Sequence, residues 1–331
     1  MYSYRANENR YDNAFVRRAG DSGLELPAVS FGLWHSFGDT ANFGDSEKVI
    51  LKAFDEGIFS FDLAYNYGPG SGAAERMFGN VYREDLKPYR DELVITTKAG
   101  FNMWLGPYGN FSSRKTLINA IDGSLERMGL DYVDIFYSHR FDPNTNLEET
   151  ADALNDIVRS GKALYVGISN YDSKQTAEIT KYFKEMHTPF VVNQASYNML
   201  NRTIEDDGLL DTLRDNNKAL VAYGPLAEGL LTDKYLGGME DDIKVHWSND
   251  FMFKNGKDAL VKKLNELNDI AANRNQSLAQ MSLAWLLHDD VVASVVTGAS
   301  KVDHLMSNLE ALKNTKFTAD ELTKIDSIIK G

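Results

Sequence analysis

The sequence predicts an α/β fold, a (β/α)8 barrel of eight parallel strands each followed by a helix, and three observations predict it. First, eight short β-type runs alternate with amphipathic helical stretches along 331 residues, the order that βα units around a parallel sheet produce. Second, no linker, internal repeat or low-complexity tract divides the chain. The length suits one barrel of about 250 residues with insertions, so a single domain spans 1–331. Third, polar residues close successive apolar runs. Asp62 ends Ile58-Phe59-Ser60-Phe61, Lys98 ends Leu93-Val94-Ile95-Thr96-Thr97, and His139 ends Val133-Asp134-Ile135-Phe136-Tyr137-Ser138, while Tyr67 lies five residues beyond Asp62. Neighbouring parallel strands bring these four side chains to one face, the face on which such barrels carry their chemistry.

The first element is a hairpin over residues 15–26, placed to cover the lower end of the barrel. Strands are expected at 29–33, 58–63, 93–98, 133–138, 164–168, 191–193, 219–223 and 293–297. Helices are expected at 46–56, 114–128, 147–160, 173–184 and 208–216. Leu117, Ile121, Leu125 and Met128 recur at the three- and four-residue spacing of a helix packed on a sheet. Gly57, Gly129 and Gly161 stand where left-handed caps end helices. The run Gly68-Pro69-Gly70-Ser71-Gly72 lacks the G-x-G-x-x-G spacing of a dinucleotide fingerprint. It reads as a turn into a helix starting near Ala73. The acidic and aromatic stretch 237–256 reads as either a lid or a surface loop.

Composition narrows the function. With 43% hydrophobic and 25% charged residues the chain is an ordinary globular one. A net charge of −13 argues against nucleic acid or an anionic membrane as partner, since both reward basic surfaces. The absence of cysteine excludes disulfides, thiolate metal sites and cysteine nucleophiles; no metal is expected. No leader-like or spanning apolar run is present, so a cytoplasmic location is expected.

An acid, a phenol, an amine and an imidazole together are the parts needed to protonate a carbonyl oxygen. A lysine at the barrel mouth needs a partner, because burying a lone ammonium costs several kcal/mol. Asp62 is the natural one.

Phe61-Asp62-Leu63-Ala64-Tyr65-Asn66-Tyr67-Gly68, Thr97-Lys98, Tyr137-Ser138-His139, Gly167-Ile168-Ser169-Asn170 and Gly298-Ala299-Ser300 resemble, in order and spacing, the aldo-keto reductases. Within that family, Trp104-Leu105-Gly106-Pro107-Tyr108-Gly109, Tyr137-Ser138-His139-Arg140 and 161–167 resemble the L-glyceraldehyde 3-phosphate reductase group. That group is related to the β-subunits of voltage-gated potassium channels. The resemblance implies a barrel that binds NADPH in extended form without a Rossmann domain and reduces small aldehydes. It implies Tyr67 as general acid, Lys98 as its electrostatic tuner, Asp62 as the holder of Lys98, and His139 as the group orienting the carbonyl. A phenol titrates near ~10, and an ammonium at roughly 4 Å and a dielectric of about 20 contributes about 4 kcal/mol, so Lys98 is expected to lower the Tyr67 pKa. A carboxylate beside Lys98 keeps it protonated, which disfavours a Schiff-base role.

For the cofactor, the resemblance implies Ser169, Asn170 and Gln194 at the nicotinamide carboxamide and Tyr223 under the ring. It implies Trp34 beside them, Gly224, Pro225, Leu226 and Lys234 along the pyrophosphate, and Gly298, Ser300 and Lys301 at the 2′-phosphate. In the adenosine segment Asn308 is kept, but His304 and Ser307 replace glutamine and glutamate, and Glu228 adds a negative charge near the pyrophosphate. Trp34, Trp104 and Tyr108 fall in loops after the first and third strands, where they line a substrate pocket. Arg140 meets either a substrate phosphate or a neighbouring carboxylate. A homo-oligomer, tetrameric or larger, is implied, and a nicotinamide-binding redox-sensing subunit is the alternative to an enzyme.

Overall fold

The computed structural model describes residues 4–34, 36–240, 242–243 and 245–331. Strands β1 (Val16–Arg18) and β2 (Glu25–Pro27) pair antiparallel as the expected hairpin. The barrel strands are β3 (Val29–Gly32), β4 (Ser60–Asp62), β5 (Val94–Ala99), β6 (Val133–Ser138), β7 (Ala163–Ser169), β8 (Phe190–Ser196), β9 (Ala219–Tyr223) and β10 (Val292–Thr297). Each pairs in parallel with the next, and β10 returns to β3 to close the barrel. The second strand is three residues long, shorter than its apolar run suggests. Its ladder nevertheless extends at both ends: Val94 N donates to Phe59 O at 2.8 Å and Leu63 N donates to Thr96 O at 3.0 Å.

Alternation along β5 shows how the barrel is filled. Val94 joins the inner cluster with Ile135, Val192, Val221 and Val296, and Leu26 of β2 joins it too. The hairpin therefore closes the lower end with an apolar side chain. Ile95 points the other way, into the layer that holds Leu117, Ile121 and Leu125 of the helix Arg114–Met128. Thr96 and Lys98 return to the inside. The interior thus changes from apolar below to polar above.

Local chemistry fixes the connections. Ser113 caps the Arg114–Met128 helix by accepting from Thr116 N, and Gly129 ends it at φ 70°. Gly57 has φ 82°, and a Cβ there would meet Arg10 O at 2.5 Å, so only glycine fits. The Gly68–Gly72 turn leads into the helix Ala73–Val81, as expected. The helix expected over 208–216 starts at Leu209, because Gly208 is left-handed at φ 80°; a single turn, Thr203–Asp206, precedes it. Late in the chain, Lys257–Asn273 packs against Ala319–Lys330.

Candidate active site

Asp62 ends β4, Lys98 sits one residue before the end of β5, His139 follows β6, and Tyr67 lies on the turn after β4. Their strand positions bring them together at the upper end of the barrel. Lys98 is fully buried. Its Nζ lies 2.6 Å from Asp62 Oδ2 and donates to Leu63 O at 2.7 Å. Asp62 Oδ1 accepts from Thr96 Oγ1 and from Gln194 Nε2, both at 2.9 Å. A buried carboxylate with all three donors in place meets the condition under which such an ion pair is tolerated. Lys98 Nζ stands 5.0 Å from the centre of the Tyr67 ring. The His139 ring meets Tyr67 edge-on at 5.8 Å and Phe101 at 4.6 Å.

The electrostatics depart from expectation at Tyr67. Burial pushes its phenol well above the ordinary value, and the Asp62 carboxylate pushes it further in the same direction. Lys98 does not reverse this, because its charge is matched at 2.6 Å by the opposite charge of Asp62. Tyr67 is therefore a phenol that keeps its proton. Burial lowers the Lys98 pKa, and Asp62 opposes that shift. His139 is pushed well below the ordinary histidine value by burial first, then by Lys98 and Arg140, so its imidazole is neutral.

A second group of residues runs across the mouth from β7 to β10. Asn170, exposed and in the left-handed region at φ 59°, donates to His139 O at 3.0 Å and to Ser169 Oγ at 3.1 Å. Tyr223 OH donates to Asn170 Oδ1 at 2.8 Å. Gln194 does not face the groove freely, since its amide nitrogen is on Asp62. Gly224 turns at φ 64°, Pro225 is buried beside Leu226, and Lys234 is exposed with its Nζ 4.9 Å from the Tyr235 ring. Glu228 is not a loose charge. It accepts from His246 N at 2.8 Å and Asn249 Nδ2 at 2.5 Å, fastening part of the stretch 237–256, in which Asp241 and Lys244 lie outside the described residues. After β10, Gly298, Ser300, Lys301 and His304 are exposed, and the helix Val302–Leu309 starts with no side-chain cap. Asn308 is buried and donates to Thr297 Oγ1 at 3.1 Å.

The expected substrate side is an exposed aromatic rim of Trp34, Trp104 and Tyr108. Trp34 lies 6.4 Å from Tyr67, centre to centre. Arg140 meets no carboxylate among the described residues. Its guanidinium donates to Gly100 O at 2.9 Å and to Asn110 Oδ1, between the rings of Phe101 at 4.5 Å and Phe111 at 4.1 Å.

The Aldo/keto reductase family model matches residues 28–330. The chain is an aldo-keto reductase. It is 50% identical over 328 residues, 98% of the chain and 95% of the relative, to the L-glyceraldehyde 3-phosphate reductase of Escherichia coli strain K12. It is 32% identical, over 95% of its own length and 96% of theirs, to probable voltage-gated potassium channel subunits beta of rice (Oryza sativa subsp. japonica) and Arabidopsis thaliana. No helix among the described residues is long and apolar enough to cross a membrane.

In this aldo-keto reductase, an oxidoreductase by family, sequence reasoning missed several supports of the central four residues. Thr96 holds Asp62, and it lies two residues before Lys98, so strand alternation alone places both on one face. Phe101 packs on His139, and Tyr137 lies beneath Lys98 at 5.6 Å with its ring against the backbone of Gly167. A Cβ on Gly167 would sit 2.4 Å from that ring. The Leu63 carbonyl that receives Lys98 leaves no trace in side-chain identity.

Proposed function

We propose that this chain reduces small aldehydes, glyceraldehyde 3-phosphate- or methylglyoxal-like, to alcohols with NADPH, and that Tyr67 is the general acid. The observation that carries the reading is the joint position of Tyr67, the Lys98–Asp62 pair and His139 at the barrel mouth. The name of the Escherichia coli relative supports the substrate class.

Bound NADPH supplies the hydride. Burial keeps the Tyr67 phenol protonated until the substrate oxygen gains charge, and the proton then passes from its OH to that oxygen. Lys98 has three N–H donors and commits two, to Asp62 and Leu63 O, leaving one donor near the phenol as it turns anionic. His139 Nδ1 is buried without a partner. Orphaned buried N–H groups are rarer than under-satisfied acceptors, which assigns the proton to Nε2, the nitrogen available to donate to a carbonyl oxygen.

The residues across the mouth suit an extended dinucleotide. Exposed Asn170 carries an amide at one end, and the uncapped start of Val302–Leu309 beside Ser300 and Lys301 suits a phosphate at the other. Ser169, Asn170 and Gln194 would hold the carboxamide and Tyr223 the ring, Gly224–Leu226 and Lys234 would follow the pyrophosphate, and Ser300 with Lys301 would take the 2′-phosphate. Arg140, fixed between two rings, would meet an anionic substrate.

An aldehyde panel assayed by loss of NADPH absorbance tests the reading: turnover with small α-oxo or phosphorylated aldehydes is expected. Binding of NADPH with no turnover on any aldehyde would overturn it. That result would favour a nicotinamide-binding redox subunit of a larger assembly; of that reading, the two plant relatives' names support only the subunit role.

A further inference from the structure

A cavity of about 390 Å³ lies to one side of the barrel and shares no lining residue with the catalytic four or the expected cofactor groups. Three elements enclose it: the loop and short helix after β8, the approach and start of the Lys257–Asn273 helix, and the end of Ala319–Lys330. Its wall is amphipathic. Leu200, Phe251, Met252, Leu260 and Ile329 form the apolar part. Four cations, Arg202, Lys254, Lys263 and Lys330, face two carboxylates, Glu205 and Asp206. That balance runs against the net charge of −13 of the whole chain.

The cations keep donors to spare within the protein. Arg202 is nine-tenths buried; its Nη1 lies 2.5 Å from Asp326 and 3.8 Å from Glu205, its guanidinium sits 4.6 Å from the Trp285 ring and its Nε donates to Met199 O at 3.3 Å, but its Nη2 is buried with no partner. An orphaned guanidinium nitrogen of this kind calls for an acceptor, which a phosphate oxygen would supply. Lys263 spends one donor on Ile329 O at 2.8 Å and keeps two. Lys254 and Lys330 make no ion pair to a described residue. Glu205 is already engaged, accepting from Tyr197 OH at 2.6 Å. Gly256, the N-cap of the Lys257–Asn273 helix, lines the cavity and offers no side-chain cap, so that positive helix end is open as well.

We infer that this cavity binds a phosphate monoester with an apolar body, its phosphate among Arg202, Lys254 and Lys263 and its carbon part against Phe251, Met252 and Leu260. The inference is independent of the reductase reading, because no residue is common to both.

Met252 is a reporter inside the cavity. In the full chain labelled at methionine methyls, with the Met252 resonance assigned through Met252→Leu, phenyl phosphate, inorganic phosphate and phenol are titrated in turn. Phenyl phosphate is expected to shift Met252 saturably, inorganic phosphate more weakly, and phenol hardly at all. Lys254→Gln and Lys263→Gln should each weaken phenyl phosphate by roughly ten-fold, the scale of one charge-assisted contact. Lys301→Ala, at a residue that does not line the cavity, should leave that affinity unchanged. Lys254 is exposed, so its variant carries the test if the Lys263 variant does not fold. No saturable shift, an equal response to phenol, or binding lost with Lys301 rather than with Lys254 would overturn the site.

Discussion

Lys98 is fully buried and its ammonium already has Asp62 at 2.6 Å and Leu63 O at 2.7 Å. Lys301, at the far end of the mouth, is exposed and pairs with no described carboxylate. In the proposed site the two lysines would serve opposite ends, and the difference between them follows from solvation. A charge without water must have its partners built in before any ligand arrives, because leaving it alone costs several kcal/mol. A charge in water waits at little cost and exchanges solvent for a phosphate when one comes. Removing the charge at the buried end should therefore change rate and stability, and removing it at the exposed end cofactor affinity alone.

Tyr67→Phe probes that division most directly. The substitution removes one oxygen and keeps the ring, and with it the packing of residue 67 beside Trp34. A kcat lower by about a hundred- to ten-thousand-fold is expected, with NADPH affinity and thermal stability near those of the parent. Aldehyde reduction within a few-fold of the parent would mean that the acid lies elsewhere, with His139 next to be tested.

Lys98→Met should lower kcat by a similar factor and add what Tyr67→Phe does not, a loss of stability. Asp62 would be left buried, with only Thr96 and Gln194 donating to it. Breaking such a pair costs about 3–5 kcal/mol, readable in urea unfolding. The Tyr67→Phe/Lys98→Met double variant should turn over little more slowly than either single one, since the two groups act as a unit. Additive losses in rate would separate them.

At the exposed end, Lys301→Ala should weaken NADPH by roughly ten- to a hundred-fold, one charge-assisted phosphate contact, and leave NADH and the melting temperature unchanged. Equal losses for both cofactors would move the 2′-phosphate away from Lys301.

The sequence exposes these two ends unequally, for physical reasons. Strand order, the hairpin and the four central residues are legible because alternation and apolar runs are local signals: Asp62, Lys98 and His139 each close such a run. The supports of those residues come from distant segments. Gln194 reaches Asp62 across 132 residues, and Leu63 contributes only a carbonyl. The Tyr67 electrostatics were legible in kind but wrong in sign, because a pairwise estimate with Lys98 leaves out both burial and the carboxylate that cancels the lysine. The role of Glu228 was likewise hidden, since its partners, His246 and Asn249, meet it only in the folded loop.

The smallest expected effect is a pH dependence of stability that belongs to His139. Burial, then Lys98 and Arg140, hold its pKa well below the ordinary value near 6.5, at which the unfolded chain takes up the proton. Below about pH 6.5, and above the folded value, the unfolded state therefore binds one proton more than the native state. Stability rises with pH across that window and is lost as pH falls through it, by at most about 1.4 kcal/mol per pH unit. Above the window the group is neutral in both states and contributes no slope. Tyr67, raised by burial, titrates only in strong alkali and does not interfere. Urea unfolding of the parent and of His139→Gln at pH 7.5, 6.5 and 5.5 isolates the term. The parent should lose more stability than the variant between pH 6.5 and 5.5, and the two should run parallel between 7.5 and 6.5. Parallel curves throughout would mean that His139 takes up its proton in the folded protein as readily as in the unfolded chain, so that the fold does not hold the imidazole neutral.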